Sequence, residues 1–288
     1  MKFNRFIAID WSGRENIGRN LQVSQCFPGI AVPEIVKNGQ SHKWRRSEVL
    51  DWLIKIIKQK ERIIAGFDFA FAYPYCDEKA YFPGHKDSPK SIKSLWKVID
   101  SICGGDFYGG PFYKRNNAKF SDYLLGPDYK GKKYSPRMRV TENHSAGQGG
   151  NPSSVFKCFG KGQVGSGSVA GMRFLHHINR ILNGDFLIWP FQRLDSSRSL
   201  IVEIYPGFFY KKAGANSQVR QNSEKLNSIL KFFNSEPASN LERKTEDQKD
   251  AIISAAAIRH FAVKQKTWNP DGLTGCARTY EGWIFGVA

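Results

Sequence analysis

Two acidic residues stand where short apolar runs break off, and their placement constrains this chain more than any other feature. Residues 6–9, Phe-Ile-Ala-Ile, carry no polar side chain and read as a buried strand. Asp10 follows at once, and Ser12 and Gly13 open a turn. Residues 62–67, Arg-Ile-Ile-Ala-Gly-Phe, read the same way and run into Asp68. A buried strand delivers its last side chain rigidly, and a carboxylate there is costly to desolvate unless a cation or a metal ion meets it. An Asp that only caps its own turn accounts for either residue taken singly. The order strand, strand, strand, helix, strand, with acids closing the first and fourth strands, is far more specific.

The intervening elements follow from local pattern. After a turn over residues 13–19, residues 20–27 alternate weakly and residues 31–36 add a third run, which together make an antiparallel meander. Ser47 reads as the N-cap of a helix over residues 48–58, with Val49, Leu50, Leu53, Ile56 and Ile57 as its apolar stripe. Residues 69–184 lose this rhythm. Pro74, Pro83, Pro89 and the Gly104-Gly105 and Gly109-Gly110-Pro111 turns interrupt them, and only 90–103 and 169–182 read clearly as helices. The stretch reads as an insertion or lid within one domain, on a core made of residues 1–68 and 185–288.

Strands return at 186–191 and 199–205. Glu203 interrupts the second of these between Val202 and Ile204, and its apolar β-branched neighbours favour an inward-facing ligand over an edge residue. A basic amphipathic helix over 223–233 and a Pro-containing loop over 235–241 lead to the most informative helix. Thr245 with Gln248 forms a capping box, and Ala251, Ala255, Ile258 and Ala262 mark the buried face. Asp247 and Asp250 lie in its first turn, where acids commonly offset the helix dipole. Asp247 falls in line with the buried face four residues before Ala251, and Asp250 lies on its adjoining edge.

Charge narrows the partners. The 43 Lys and Arg against 26 Asp and Glu leave a formal charge of +17 over 288 residues. Such a surface attracts polyanions, and aromatics interleaved with Lys over residues 106–119 and 123–134 supply stacking faces for unpaired bases. The basic segment 130–139 reads as an exposed loop. Cys26, Cys76, Cys103, Cys158 and Cys276 form no C-x-x-C pair, which argues against a zinc ribbon and against a disulfide framework. No apolar run reaches membrane-spanning length, so a cytoplasmic protein is expected. Gly160, Gly162 and Gly165 fit G-x-G-x-x-G, yet no acid closes a second strand about 20 residues on as a dinucleotide site requires. Glycines that permit a close approach at a helix N-terminus fit better, and such an end can hold a phosphate of a bound strand.

Taken together, Asp10-Trp-Ser-Gly13, Gly66-Phe-Asp68-Phe-Ala70, Gly162-Gln-Val-Gly165, Trp189-Pro-Phe191, Glu203-Ile-Tyr-Pro206, Asp247-Gln-Lys-Asp250-Ala251 and Glu281-Gly-Trp-Ile-Phe-Gly-Val287 resemble the RNase H-like superfamily, particularly its RuvC-type resolvase branch. More closely, they are similar to the predicted nuclease family called domain of unknown function four-twenty-nine. Ala70 departs from the proline expected in many relatives. The resemblance implies an α/β fold with an RNase H-like mixed sheet, three antiparallel strands plus parallel ones, flanked by helices and carrying a large insertion. It also implies a metal-dependent nuclease acting on DNA or RNA. Carboxylates from two central strands and a helix start would hold two Mg²⁺ or Mn²⁺ ions about 4 Å apart. Asp10 would be the shared ligand, Asp68 and Asp250 the flanking ligands, and Glu203 and Asp247 supporting ones. The actin-like ATPases and small-molecule kinases resemble the same meander, but no second D-x-G-[GT] turn is present. A non-catalytic nucleic-acid-binding module gains nothing from clustered acids. A proofreading-type exonuclease needs D-x-E, where this chain has Ser12.

Overall fold

A computed structural model describes residues 2–15, 21–104, 107–182 and 184–288. Its layering follows from alternation along the first strand. In β1 (Arg5–Asp10), Ile7 and Ile9 face one way and Phe6 and Ala8 the other, and all four are buried. A strand apolar on both faces must be covered on both.

β1 lies at the centre of a seven-stranded mixed sheet. On one side it pairs antiparallel with β2 (Leu21–Cys26), which pairs antiparallel with two short strands, β3 (Glu34–Ile35) and β4 (Lys43–Trp44). On the other side β5 (Ile63–Phe67) runs parallel to β1, β7 (Ser199–Glu203) parallel to β5, and β6 (Phe186–Ile188) parallel to β7. The α/β class and the mixed sheet are therefore as the sequence predicts. Only residues 34–35 of the third expected run pair, and β4 has no counterpart in the reading because two residues carry no periodicity. Asn20 and most of the 13–19 turn lie outside the described residues.

One face is covered by α1 (Arg46–Lys58), α2 (Ile92–Cys103) and α5 (Gly165–Ile181), whose Leu53, Leu95 and Met172 cluster with Ile7, Ile9 and Phe67. Between α2 and α5 lie two shorter helices, α3 (Gly110–Tyr113) and α4 (Val140–Gly147). The opposite face is covered by α6 (Pro206–Lys212), α7 (Ser223–Phe232), α8 (Glu246–Ala262) and α9 (Gln265–Trp268), whose Phe209, Leu230 and Ile258 cluster with Ala8, Ile64 and Val202. Residues 69–184 thus supply two of the three helices that cover one face. Gly66 of β5 makes room for α8: a methyl group there would meet Ile258 Cδ1 at 2.5 Å.

Three local expectations change. α1 begins at Arg46, not after Ser47, because Glu48 accepts the Arg45 amide at 2.8 Å and closes the turn earlier. α8 has the predicted capping box, with Thr245 Oγ1 accepting the Gln248 amide and Gln248 Oε1 accepting that of Thr245, each at 3.2 Å. It is, however, buried on nearly all sides, because the sheet and the other helices both press on it. The cysteines also depart from expectation. Cys76 and Cys276, 200 residues apart, are joined by a disulfide with Cα atoms 5.8 Å apart, a pairing that spacing does not reveal. Among the described residues, no helix is long and apolar enough to cross a membrane.

Candidate functional site

Strand register brings the first two acids together. Ile9 is paired with Phe67 in the parallel ladder, and the Asp68 amide donates to the Ile9 carbonyl at 3.1 Å. Asp10 and Asp68 are therefore equivalent next residues on neighbouring strands, and alternation turns both toward the face covered by α8. Asp250, in the first turn of α8, completes the group and is 7% exposed.

The three carboxyls repel one another. Burial raises the Asp10 carboxyl well above the usual range, and Asp68, Asp247 and Asp250 push it further. Asp68 is pushed up to about 8 by burial, then by Asp250 and Glu203. Asp250 is raised by burial too, although Arg220 and Tyr210 pull it back. Arg220, in the turn Ser217–Gln221, donates from Nε to Asp250 Oδ1 at 2.7 Å and from Nη2 to Oδ2 at 2.5 Å. The Tyr210 hydroxyl of α6 donates to Oδ1 at 2.7 Å. Among the described residues, nothing donates to the side chains of Asp10 or Asp68. Asp247 is exposed, so of the two acids at the start of α8 it is Asp250 that turns inward.

Glu203 goes elsewhere. Its ladder partner is Phe67, one residue before Asp68, and alternation puts it with Ile201 on the opposite face. It is inward, as predicted, at 2% exposure. Arg139 donates to both its oxygens, at 2.8 Å and 2.5 Å, and the Phe71 amide donates to Oε2 at 3.0 Å. Arg139 itself is 1% exposed; its Nε donates to Glu142 at 3.0 Å, and an Nη donates to the Glu281 carbonyl at 2.9 Å. Glu281 accepts from the amides of Tyr75, Cys76 and Val140 at 2.6–2.8 Å. Burial raises the Glu142 carboxyl in spite of Arg139. The basic segment 130–139 thus divides. Lys130, Lys132 and Lys133 are exposed, whereas Arg139 is a buried organising centre and Arg137 holds Asp77 and the carbonyls of Pro74, Ala80 and Tyr81.

Beside Asp68 opens a cleft of about 750 Å³, floored by Asp68, Arg139, Glu142 and Glu203. Its wall includes the Ser12–Gly13 turn and the first turn of α5, the end of the glycine-rich stretch. The two are locked together. Trp11 Nε1 donates to the Gly167 carbonyl at 3.2 Å, and a methyl at Gly13 would overlap the Ser166 backbone at 2.3 Å. Arg46 fixes the same turn from below by donating to the carbonyls of Ser12 and Arg14. Asp10, Asp247 and Asp250 do not line this cleft.

The donors of the three-carboxylate group are all oxygen, which suits hard divalent cations. Among the described residues, no three Asp, Glu, His or Cys side chains are already gathered at metal-ligand distances. Arg220 stands on Asp250 in place of a cation.

Sequence reasoning finds Asp10, Asp68 and Asp250 but misses Arg139, Glu142, Arg220 and Tyr210. An acid three residues after Arg139 is a helix-start signal that marks α4. Arg220 lies in a turn without periodicity and leaves no signal. No protein-family model matches the chain, and neither the curated proteins nor the solved structures contain a significant match to it.

Proposed function

We propose that this chain is a metal-dependent nuclease with an RNase H-like core, hydrolysing phosphodiester bonds of DNA or RNA. The observation that carries the reading is the convergence of Asp10, Asp68 and Asp250 from two neighbouring parallel strands and a helix start, with two of the three lacking any donor among the described residues. Mutually repelling carboxyls are a standing cost to the fold unless cations join them. A meander of β1, β2 and β3 followed by parallel β5 and β7 supports the RNase H-like resemblance. The net charge of +17 supports a polyanionic substrate.

Asp10, Asp68 and Asp250 would hold Mg²⁺ or Mn²⁺, with Asp247 at the exposed rim. When bound, the ions would activate a water and stabilise the charge on the leaving oxygen. The protein's own part is positional. The ladder fixes Asp10 against Asp68, α8 presents Asp250, and Arg220 and Tyr210 orient Asp250 and oppose the rise that burial imposes on its carboxyl. Glu203 serves this reading best as the anchor that, with Arg139, sets the cleft floor.

Cleavage of single-stranded, duplex and branched DNA and RNA with Mg²⁺ or Mn²⁺ tests the proposal. Asp10→Asn and Asp250→Asn should each abolish cleavage while binding stays equal or tightens, because a negative charge near phosphate is removed. Cleavage that survives both substitutions rejects the mechanism. A large rise in melting temperature with ATP, without cleavage, would point to an actin-like ATPase or kinase.

A further inference from the structure

The cleft beside Asp68 differs in kind from the basic surface around it. Its volume of about 750 Å³ falls within the roughly 300–1,000 Å³ of pockets that enclose small organic ligands. The walls are rich in rings: Tyr108, Tyr113, Phe159 and Tyr205 all line the space. Phe159 is 50% exposed, a large apolar face left uncovered in the loop before α5. Lys114 stands over the Tyr108 ring at 5.3 Å and is ion-paired with Glu15 at the same wall.

We infer that this cleft receives unpaired nucleotides of a single strand, with bases stacked on its ring faces and the backbone led toward Asp68 on its floor. The inference rests on the nuclease reading and names its substrate class. Every base has a π face, so a ring-lined groove binds a strand with little regard to sequence, and only unpaired bases present those faces. The basic exterior would gather nucleic acid of any form, and the cleft would then select segments that are already single-stranded or that fray. Free nucleotides share the chemistry of a strand's nucleotides, so the test must separate the two.

The experiment is fluorescence anisotropy in EDTA, where no metal-dependent cleavage can intervene. Labelled single-stranded oligonucleotides of DNA and RNA are compared with the same DNA as a blunt duplex, and free mononucleotides serve as competitors. The proteins are the wild type, Phe159→Ala and Phe159→Tyr; an exposed ring can be replaced without disturbing the core. Single strands should bind at least about tenfold tighter than duplex, and Phe159→Ala should lower single-strand affinity roughly five- to a hundredfold, the cost of losing one stacking face. Phe159→Tyr should restore it, and duplex affinity should not change. Equal affinity for duplex and single strand, or an unaffected Phe159→Ala, overturns the inference. Mononucleotides that compete as well as the strand overturn it in favour of a small-molecule site. The two readings fail separately. Selective single-strand binding without cleavage under Mg²⁺ or Mn²⁺ keeps this assignment and removes the nuclease, and cleavage with unselective binding does the reverse.

Discussion

Arg220 meets both oxygens of Asp250, at 2.7 Å and 2.5 Å, from the short turn Ser217–Gln221. The guanidinium hydrogen-bonds Asp250 directly, whereas at Asp10 and Asp68 its charge acts only from a distance. Arg220→Met keeps the apolar stem and removes the charge. It should cost about 2–4 kcal/mol, somewhat short of the ~3–5 kcal/mol for a fully buried pair, since the Arg220 side chain is 22% exposed. In urea unfolding, Mg²⁺ or Mn²⁺ should stabilise Arg220→Met more than the wild type, because a cation that binds only the folded state takes over the missing role. Equal metal effects on both proteins would place the metal away from Asp250.

Glu203→Gln separates a structural anchor from a metal ligand. With Arg139 and Glu203 both essentially buried, breaking the pair should lower stability by about 3–5 kcal/mol. The double change Arg139→Met with Glu203→Leu should cost less than the sum of the single changes, since Glu203 is not left facing an absent partner, although Glu142 still loses Arg139. A Glu203→Gln protein with unchanged unfolding but no cleavage would make Glu203 a ligand after all.

The disulfide between Cys76 and Cys276 closes a loop of 200 residues. Its removal in Cys276→Ser should lower stability by about 2–5 kcal/mol by freeing the unfolded chain. Melting temperature measured with and without reductant should fall for the wild type and stay fixed for Cys276→Ser. A wild type indifferent to reductant would mean the two thiols are not joined in solution.

His260 gives the acid limb of stability a specific origin. Its ring lies among Phe232, Phe233 and Phe261, and burial, followed by the Lys264 charge, pushes its pKa down to about 4. The unfolded chain takes up this proton near pH 6.5 and the folded one only near 4. Its contribution is therefore intact above about pH 6.5 and is lost as pH falls from there to about 4. His260→Leu should flatten the difference between unfolding free energies at pH 7 and pH 5 relative to the wild type. An unchanged difference would show that His260 titrates normally.

Lys130, Lys132 and Lys133 are exposed, with Lys130 over the Tyr134 ring and Lys133 over that of Tyr123. Replacing all three with Ala should weaken nucleic-acid binding uniformly across sequences. It should also reduce the salt slope of log affinity by about one for each phosphate that is no longer neutralised. A slope identical to the wild type would assign the electrostatic footprint to another surface. Deleting residues 130–139 whole is not an equivalent experiment, since it removes Arg139 from the core.

The legible part of the molecule is the part governed by short periods. Residues 6–9 and 63–67 read as buried strands because every side chain in them has to be covered, and the acids that follow are placed by that same ladder. Thr245 and Gln248 announce the start of α8 because a cap is closed within a single turn of chain. What stays hidden depends on distance. Arg220 reaches Asp250 across 30 residues and Arg139 reaches Glu203 across 64, and although Glu142 marks the start of α4 beside Arg139, no neighbour in sequence announces either long-range partner. The i, i+4 argument favours Asp247 over Asp250 by assuming a helix with one buried stripe, whereas α8 is packed from several sides and the stripe loses its meaning. Glu203 shows the same limit: its inward direction follows from its neighbours, but the face it takes follows from pairing with Phe67 in another strand.

Gly13 and Ser166 touch at backbone distance, leaving no room for even a methyl between the turn after Asp10 and the first turn of α5. The turn after Asp10 and the start of α5 therefore form one packed wall of the cleft, and a side chain inserted at Gly13 would have to push the two apart. Residues 69–184, read from sequence as an insertion or lid, thus supply through α5 a side of the cleft that is built directly onto the turn that follows the first acid, so an alteration at Gly13 would be felt in both.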